Sequence, residues 1–227
     1  MDLIGVPVVA GTGFIALLLL VFTGPWARSL VTVAHEGGHM IASVLTLRGF
    51  QHFRLEPNAD GATRLVDGSW GVGDLIMRLS GYLSPPLFGL GGAAALAGGN
   101  AWGVLAIATV LLFASFLYAH GALANTITAL ALAGVVLVLW RGSAFVQIAV
   151  AVGAVWLLLI GGFIDSVRMS RTGGADADMM ARRTWIPALV WQAFWVTVAL
   201  VCLYAGGRLL FTGTAWPAGV WPFDVRA

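Results

Sequence analysis

The chain has 227 residues, 59% of them hydrophobic and 10% charged, with a mean hydropathy of +0.92. A soluble domain carries about 25% charged residues, so this composition excludes one and points to a polytopic helical membrane protein. The net charge is only +2 and the basic residues are scattered arginines, which offers nucleic acid no concentrated basic surface; the single cysteine excludes an intrachain disulfide or a cysteine-cluster metal site.

Seven apolar stretches long enough to cross a bilayer are expected, at residues 4–23, 29–47, 72–97, 102–119, 122–140, 144–164 and 185–208. The first lacks the basic flank and cleavage site of a secretory signal and reads as a retained span. The second holds His35-Glu36-Gly37-Gly38-His39, with no other charge between Ser29 and Leu47. On a helix His35 and His39 stand one turn apart on one face, which suits two imidazoles on one zinc ion. Glu36, beside the first imidazole, is placed to act as a general base toward water at the metal. An acidic side chain at membrane depth costs about 2.5–3.5 kcal/mol on insertion scales, and a metal site supplies a reason for that cost.

Residues 48–71 form the longest polar stretch. Alternation from Phe50 to Glu56, turn chemistry over Pro57–Gly61 and a return segment Ala62–Val66 predict a small β-hairpin at the membrane face. Its strand edge is one place for an extended substrate peptide; a surface hairpin without a role is the equal reading. In the third span, Ser80 to Gly89 contains Pro85-Pro86, which predicts a kinked or broken helix with carbonyls facing a cavity. Gly81, Tyr82, Ser84, Pro85 and Pro86 are therefore candidate substrate-binding residues, with a packing kink as the alternative. Asn125, polar within the fifth span, either bonds in the core or contacts substrate.

The segment from Gly174 to Thr184 reads as a short helix with Asp176 and Asp178 in its first turn, as caps or as metal ligands. Two histidines leave zinc one protein ligand short of the common three. Cys202 and His120 are possible, but Cys202 reads as packing and His120 is expected on the far side of the membrane. Asp176 and Asp178 lie on the side toward which the histidine helix runs. Alternating crossings would put Arg48, Arg54, Arg64, Arg168, Arg171, Arg182 and Arg183 on one side, against Arg28, Arg141, Arg208 and Arg226 on the other. The positive-inside rule then makes the N-terminus and the hairpin cytoplasmic.

Three segments, His35–His39, Gly81-Tyr-Leu-Ser-Pro-Pro-Leu-Phe-Gly89 and Asp176-Ala-Asp-Met-Met-Ala-Arg-Arg-Thr-Trp-Ile-Pro187, resemble the site-2 protease family of intramembrane zinc metallopeptidases. The similarity extends over about residues 29–191 and is to the compact bacterial branch without a PDZ domain. It implies an all-α polytopic membrane protein of about six to seven transmembrane helices with a small cytoplasmic-face hairpin after the HExxH helix. It also implies a single membrane-embedded domain over 1–227, with the first span and the end of the last peripheral. Zinc would be the cofactor, with His35, His39 and Asp176 as ligands. Asp176 matches the acid of an Asp-Ala-x-x-Leu-Ala-x-x-Thr pattern, with Met180 in the Leu position, and Asp178 is the alternate. The implied reaction is hydrolysis of a transmembrane protein substrate near the cytoplasmic face of a plasma membrane, with Glu36 as base and the lipid bilayer as surroundings. The Asn-x-x-Pro and Leu-Asp-Gly form of the third-ligand motif is absent. Two other readings are an inactive relative that binds membrane proteins and a transporter; the second fits poorly with spans nearly bare of polar residues.

Overall fold

The computed structural model describes residues 5–23, 25–56, 61–65, 71–172 and 174–212. In chain order they form α1 (Gly5–Phe22), α2 (Pro25–Leu45), β1 (Phe50–Leu55), β2 (Gly61–Leu65), α3 (Val72–Ala97), α4 (Ala101–Tyr118), α5 (Ala122–Arg141), α6 (Ala144–Thr172), α7 (Ala175–Thr184) and α8 (Ala188–Thr212). The seven long helices match the seven expected stretches, and five of them, α1, α4, α5, α6 and α8, are long and apolar enough to cross a membrane. Helices α2 and α3 are of comparable length but carry the polar groups of the site. Phe14, Ile107, Leu137 and Val201 point outward and are exposed, as a lipid-facing surface requires.

Helix α3 is central and antiparallel to both α2 and α6. Against α2, His39 meets Met77 while Thr46 and Arg48 meet Gly73. Against α6, Gly89 packs on Leu159 and Gly162 packs on Pro86. The expected break at Pro85-Pro86 does not occur: α3 runs unbroken through both prolines. Their rings are buried, and Gly162 of α6 leaves room for them. What the prolines do remove is the N–H donor four residues after Gly81 and after Tyr82. Helix α6 also outruns its expected apolar stretch, continuing through Asp165, Arg168 and Arg171. At the α2–α3 corner Asp74 is buried between Arg48, 3.8 Å away, and Arg78, 3.2 Å away.

The hairpin forms as expected, pairing antiparallel from Phe50↔Leu65 to Leu55↔Gly61; its turn residues 57–60 and Val66 lie outside the described residues. It is not a bare surface feature. Phe53 and Leu55 are buried against Val33 of α2 and Ala124 and Ile127 of α5. Keeping each of these two side chains from water contributes about 1.5–3 kcal/mol. The other edge of β1 bonds the α4–α5 link, where the His120 N–H donates to Phe53 O at 2.9 Å. His120 is therefore at the hairpin end of the bundle, beside His52, and not on the far side as expected. The reason is the order of the crossings: the second, fourth and sixth connections share one end.

Strict alternation fails at the first helix. The Trp156 indole N–H donates to Val9 O at 3.0 Å, and Leu20 lies near Gly161, so α1 and α6 run in the same sense. Because α6 ends at the hairpin end, α1 starts at the opposite end, contrary to the alternating count. Because α2 is antiparallel to α3 and α3 to α6, α1 and α2 run in the same sense.

Candidate metal centre

The site is built where α2, α3 and α7 converge at the hairpin end. Helix α2 presents His35, Glu36 and His39 because their spacing puts both imidazoles on its α3-facing side. Close approach follows from small residues on both helices. A Cβ on Gly38 would clash with Ser84 Oγ and stand 2.9 Å from Ser80 O, and a Cβ on Gly81 would be 2.6 Å from both His35 Nε2 and His39 Nε2. Gly174, in extended conformation, stands at the N-cap of α7, and the first turn of that helix delivers Asp176.

His35 Nε2 and His39 Nε2 are 3.1 Å apart, and Asp176 Oδ2 is 3.4 Å from the first and 3.5 Å from the second. Zinc bonds to imidazole and carboxylate run about 2.0–2.2 Å, so the edges of a regular tetrahedral site are about 3.3–3.6 Å long. The triangle formed by these three atoms has nearly those dimensions. The donor set also fits in a second respect. The Nδ1–H of His39 donates to Met77 O at 2.7 Å, which fixes the ring and leaves Nε2 free to coordinate. Among the described residues this is the one group of three or more His, Cys, Asp or Glu side chains close enough to share an ion.

Glu36 is 2% exposed. The first residue of β2, Gly61, sits directly against Glu36 Oε1, and its missing side chain would also stand 2.6 Å from Thr32 Cγ2. The hairpin thus reaches back along α2 and backs the glutamate. A cavity of about 290 Å³ opens in front of the set, lined by His35, Glu36 and Asp176 together with Tyr82, Pro85 and Gly162. Its remaining wall carries Arg28, Asp165 and Arg168; Arg28 Nε bonds Asp165 Oδ1 at 3.1 Å.

The sequence candidates divide accordingly. His35, Glu36, Asp176, Tyr82 and Pro85 line the cavity; His39 is buried behind them, and Gly81 lies against both imidazoles. Ser84 is buried, donates to Ser80 O at 2.7 Å and packs on Gly38, while Pro86 packs on Gly162. Asn125 is exposed on α5 and does not line the cavity. Asp178 is exposed, in the first turn of α7, and belongs neither to the ligand group nor to the cavity lining. Cys202 is buried in the core formed with α1, α3 and α6. Gly61, Met77, Arg28 and Asp165 were not among the site residues expected from the sequence. For Arg28 and Asp165 the signal was present, since both are charges embedded in long apolar helices.

A family model described as Peptidase M50B-like matches residues 8–206. No curated protein and no solved structure matches the chain significantly.

Proposed function

The chain belongs to the Peptidase M50B-like family, and from that premise we propose that it is a zinc-dependent endopeptidase acting on membrane-spanning substrates. The observation that carries the reading is the convergence of His35 Nε2, His39 Nε2 and Asp176 Oδ2 within 3.5 Å of one another beside the buried Glu36. These three atoms would hold a zinc ion, which would supply Lewis acidity toward a scissile carbonyl and lower the pKa of water. Glu36 accepts a proton from the attacking water and returns it to the leaving amine nitrogen as the C–N bond breaks. Tyr82, Pro85 and Gly162 provide a wall that limits bulk water around the reacting groups. The carbonyl of Gly81, deprived of its helical donor by Pro85, is an acceptor suited to an N–H group of a locally unwound substrate.

The arginine-rich end faces the cytoplasm in this reading. Arg48, Arg54, Arg171, Arg182 and Arg183 gather around the hairpin and α7, and the positive-inside rule assigns that end. Cleavage then occurs near the cytoplasmic face, and the start of α1 lies on the other side. The test uses full-length protein purified in detergent with a transmembrane peptide as substrate. Wild type is expected to carry about one zinc per chain and to cut the peptide, and Glu36→Gln to carry zinc without cutting. Full turnover by Glu36→Gln removes the base assignment. A zinc-loaded wild type that cuts no transmembrane peptide points instead to an inactive family member.

A further inference from the structure

The two histidines are held by different means. His39 gives its Nδ1–H to the Met77 carbonyl at 2.7 Å. His35 Nδ1 has no comparable acceptor among the described residues; its ring meets Tyr82 edge to face, with centroids 4.5 Å apart and planes at 84°. Tyr82 lies 5.2 Å from Trp195, which is fully buried and donates its indole N–H to Leu79 O at 3.2 Å. Trp195 lies 6.4 Å from Trp191, which donates to Thr184 Oγ1 at 3.1 Å, at the end of α7. At the other end of α7, a Cβ on Gly174 would be 3.5 Å from the Tyr82 hydroxyl. One aromatic column therefore begins on the ring of His35 and ends on the helix that carries Asp176.

We propose that Tyr82 is a positioning residue for the metal centre: its ring sets the orientation of His35, and the column behind it holds α7 in register so that Asp176 meets the two imidazoles. The inference rests on the zinc reading above. A coordinating imidazole is normally oriented by a hydrogen bond from its second nitrogen. His39 has that bond and His35 has a ring contact in its place. Adjacent residues divide the task, Gly81 leaving room for both imidazoles and Tyr82 fixing the nearer one. Because Trp195 is anchored to the α3 backbone, the column keeps its geometry without help from an ion.

The test measures zinc affinity and the visible absorption of the cobalt-substituted full chain in detergent, for wild type, Tyr82→Phe, Tyr82→Leu and Tyr82→Met. Loss of outer-sphere support typically lowers metal affinity about 10–100-fold. That loss, with a shifted cobalt spectrum, is expected for Leu and Met, while Phe keeps wild-type affinity and spectrum because the ring makes the contact. Met preserves volume, so a folded variant without the ring remains available if Leu does not fold. Wild-type zinc affinity and cobalt spectrum in the Leu or Met variant overturn the proposal, as does a Phe variant as impaired as Leu. A wild type that binds no zinc sinks the metal reading itself, and this inference with it.

Discussion

Replacing Gly81 by alanine adds one methyl group at the tightest point of the site. That carbon would stand 2.6 Å from His35 Nε2, His39 Nε2 and His39 Cε1. Ordinary carbon–nitrogen contact is about 3.5 Å, so roughly 0.9 Å must be found by moving the imidazoles or separating α2 from α3. His39 is held by Met77 O and His35 by Tyr82, so neither ring moves freely. Overpacking of this kind costs about 1–3 kcal/mol. If the strain falls on the ligand set, zinc affinity drops about 5- to 150-fold, since about 1.4 kcal/mol is tenfold. The displacement also exceeds the roughly 0.2 Å tolerance of metal–ligand distances. The assay is zinc competition with a chromophoric chelator on detergent-purified protein, and Gly91→Ala is the control because nothing lies within 4 Å of a Cβ there. Wild-type zinc affinity in Gly81→Ala would refute the placement of the imidazoles against α3.

The other predictions concern the rest of the cavity. Asp176→Ala is expected to lower zinc content sharply while Asp178→Ala leaves it unchanged, as read by elemental analysis; the reverse result moves the third ligand. Gly61→Val pushes β2 off Glu36 and should reduce kcat on the order of 10²-fold with zinc content intact, since small misplacements of reacting groups cost about that much. An unchanged kcat means that the hairpin does not hold the glutamate. Arg28→Met strips Asp165 of its 3.1 Å partner and should destabilise the chain by about 3–5 kcal/mol. Arg28→Met/Asp165→Leu should recover much of that in denaturant or thermal unfolding in detergent, and equal instability of the single and double variants contradicts a cost arising from the uncompensated Asp165 charge.

The seven long helices were legible because each is a long, largely apolar run closed by glycine, proline or charge, and the hairpin because Phe53 and Leu55 alternate with polar neighbours. Less legible was whatever depended on partners distant in sequence. Pro85-Pro86 carries the local signature of a break, yet α3 continues because Gly162 on α6 accommodates the prolines. Charge at Asp165 ends the apolar run without ending the helix, so α6 is longer than its hydropathy indicates. The direction of α1 is set by Trp156 and Gly161 packing, which no count of crossings contains. Within the site, the HExxH spacing and the acid at the start of α7 could be read locally. The role of Gly61 could not, because only the folded hairpin brings it to Glu36. Tyr82 was visible as part of a Gly/Pro-rich segment, but its contact with His35 depends on how α2 crosses α3.

X-ray absorption at the zinc edge of the purified wild-type chain tests the metal centre most directly. This centre predicts a shell of nitrogen and oxygen only, at about 2.0–2.2 Å, with imidazole scattering from two histidines and one light-atom contribution lost in Asp176→Ala. A sulfur shell near about 2.3 Å, which would bring in Cys202, or a chain that takes up no zinc, contradicts it.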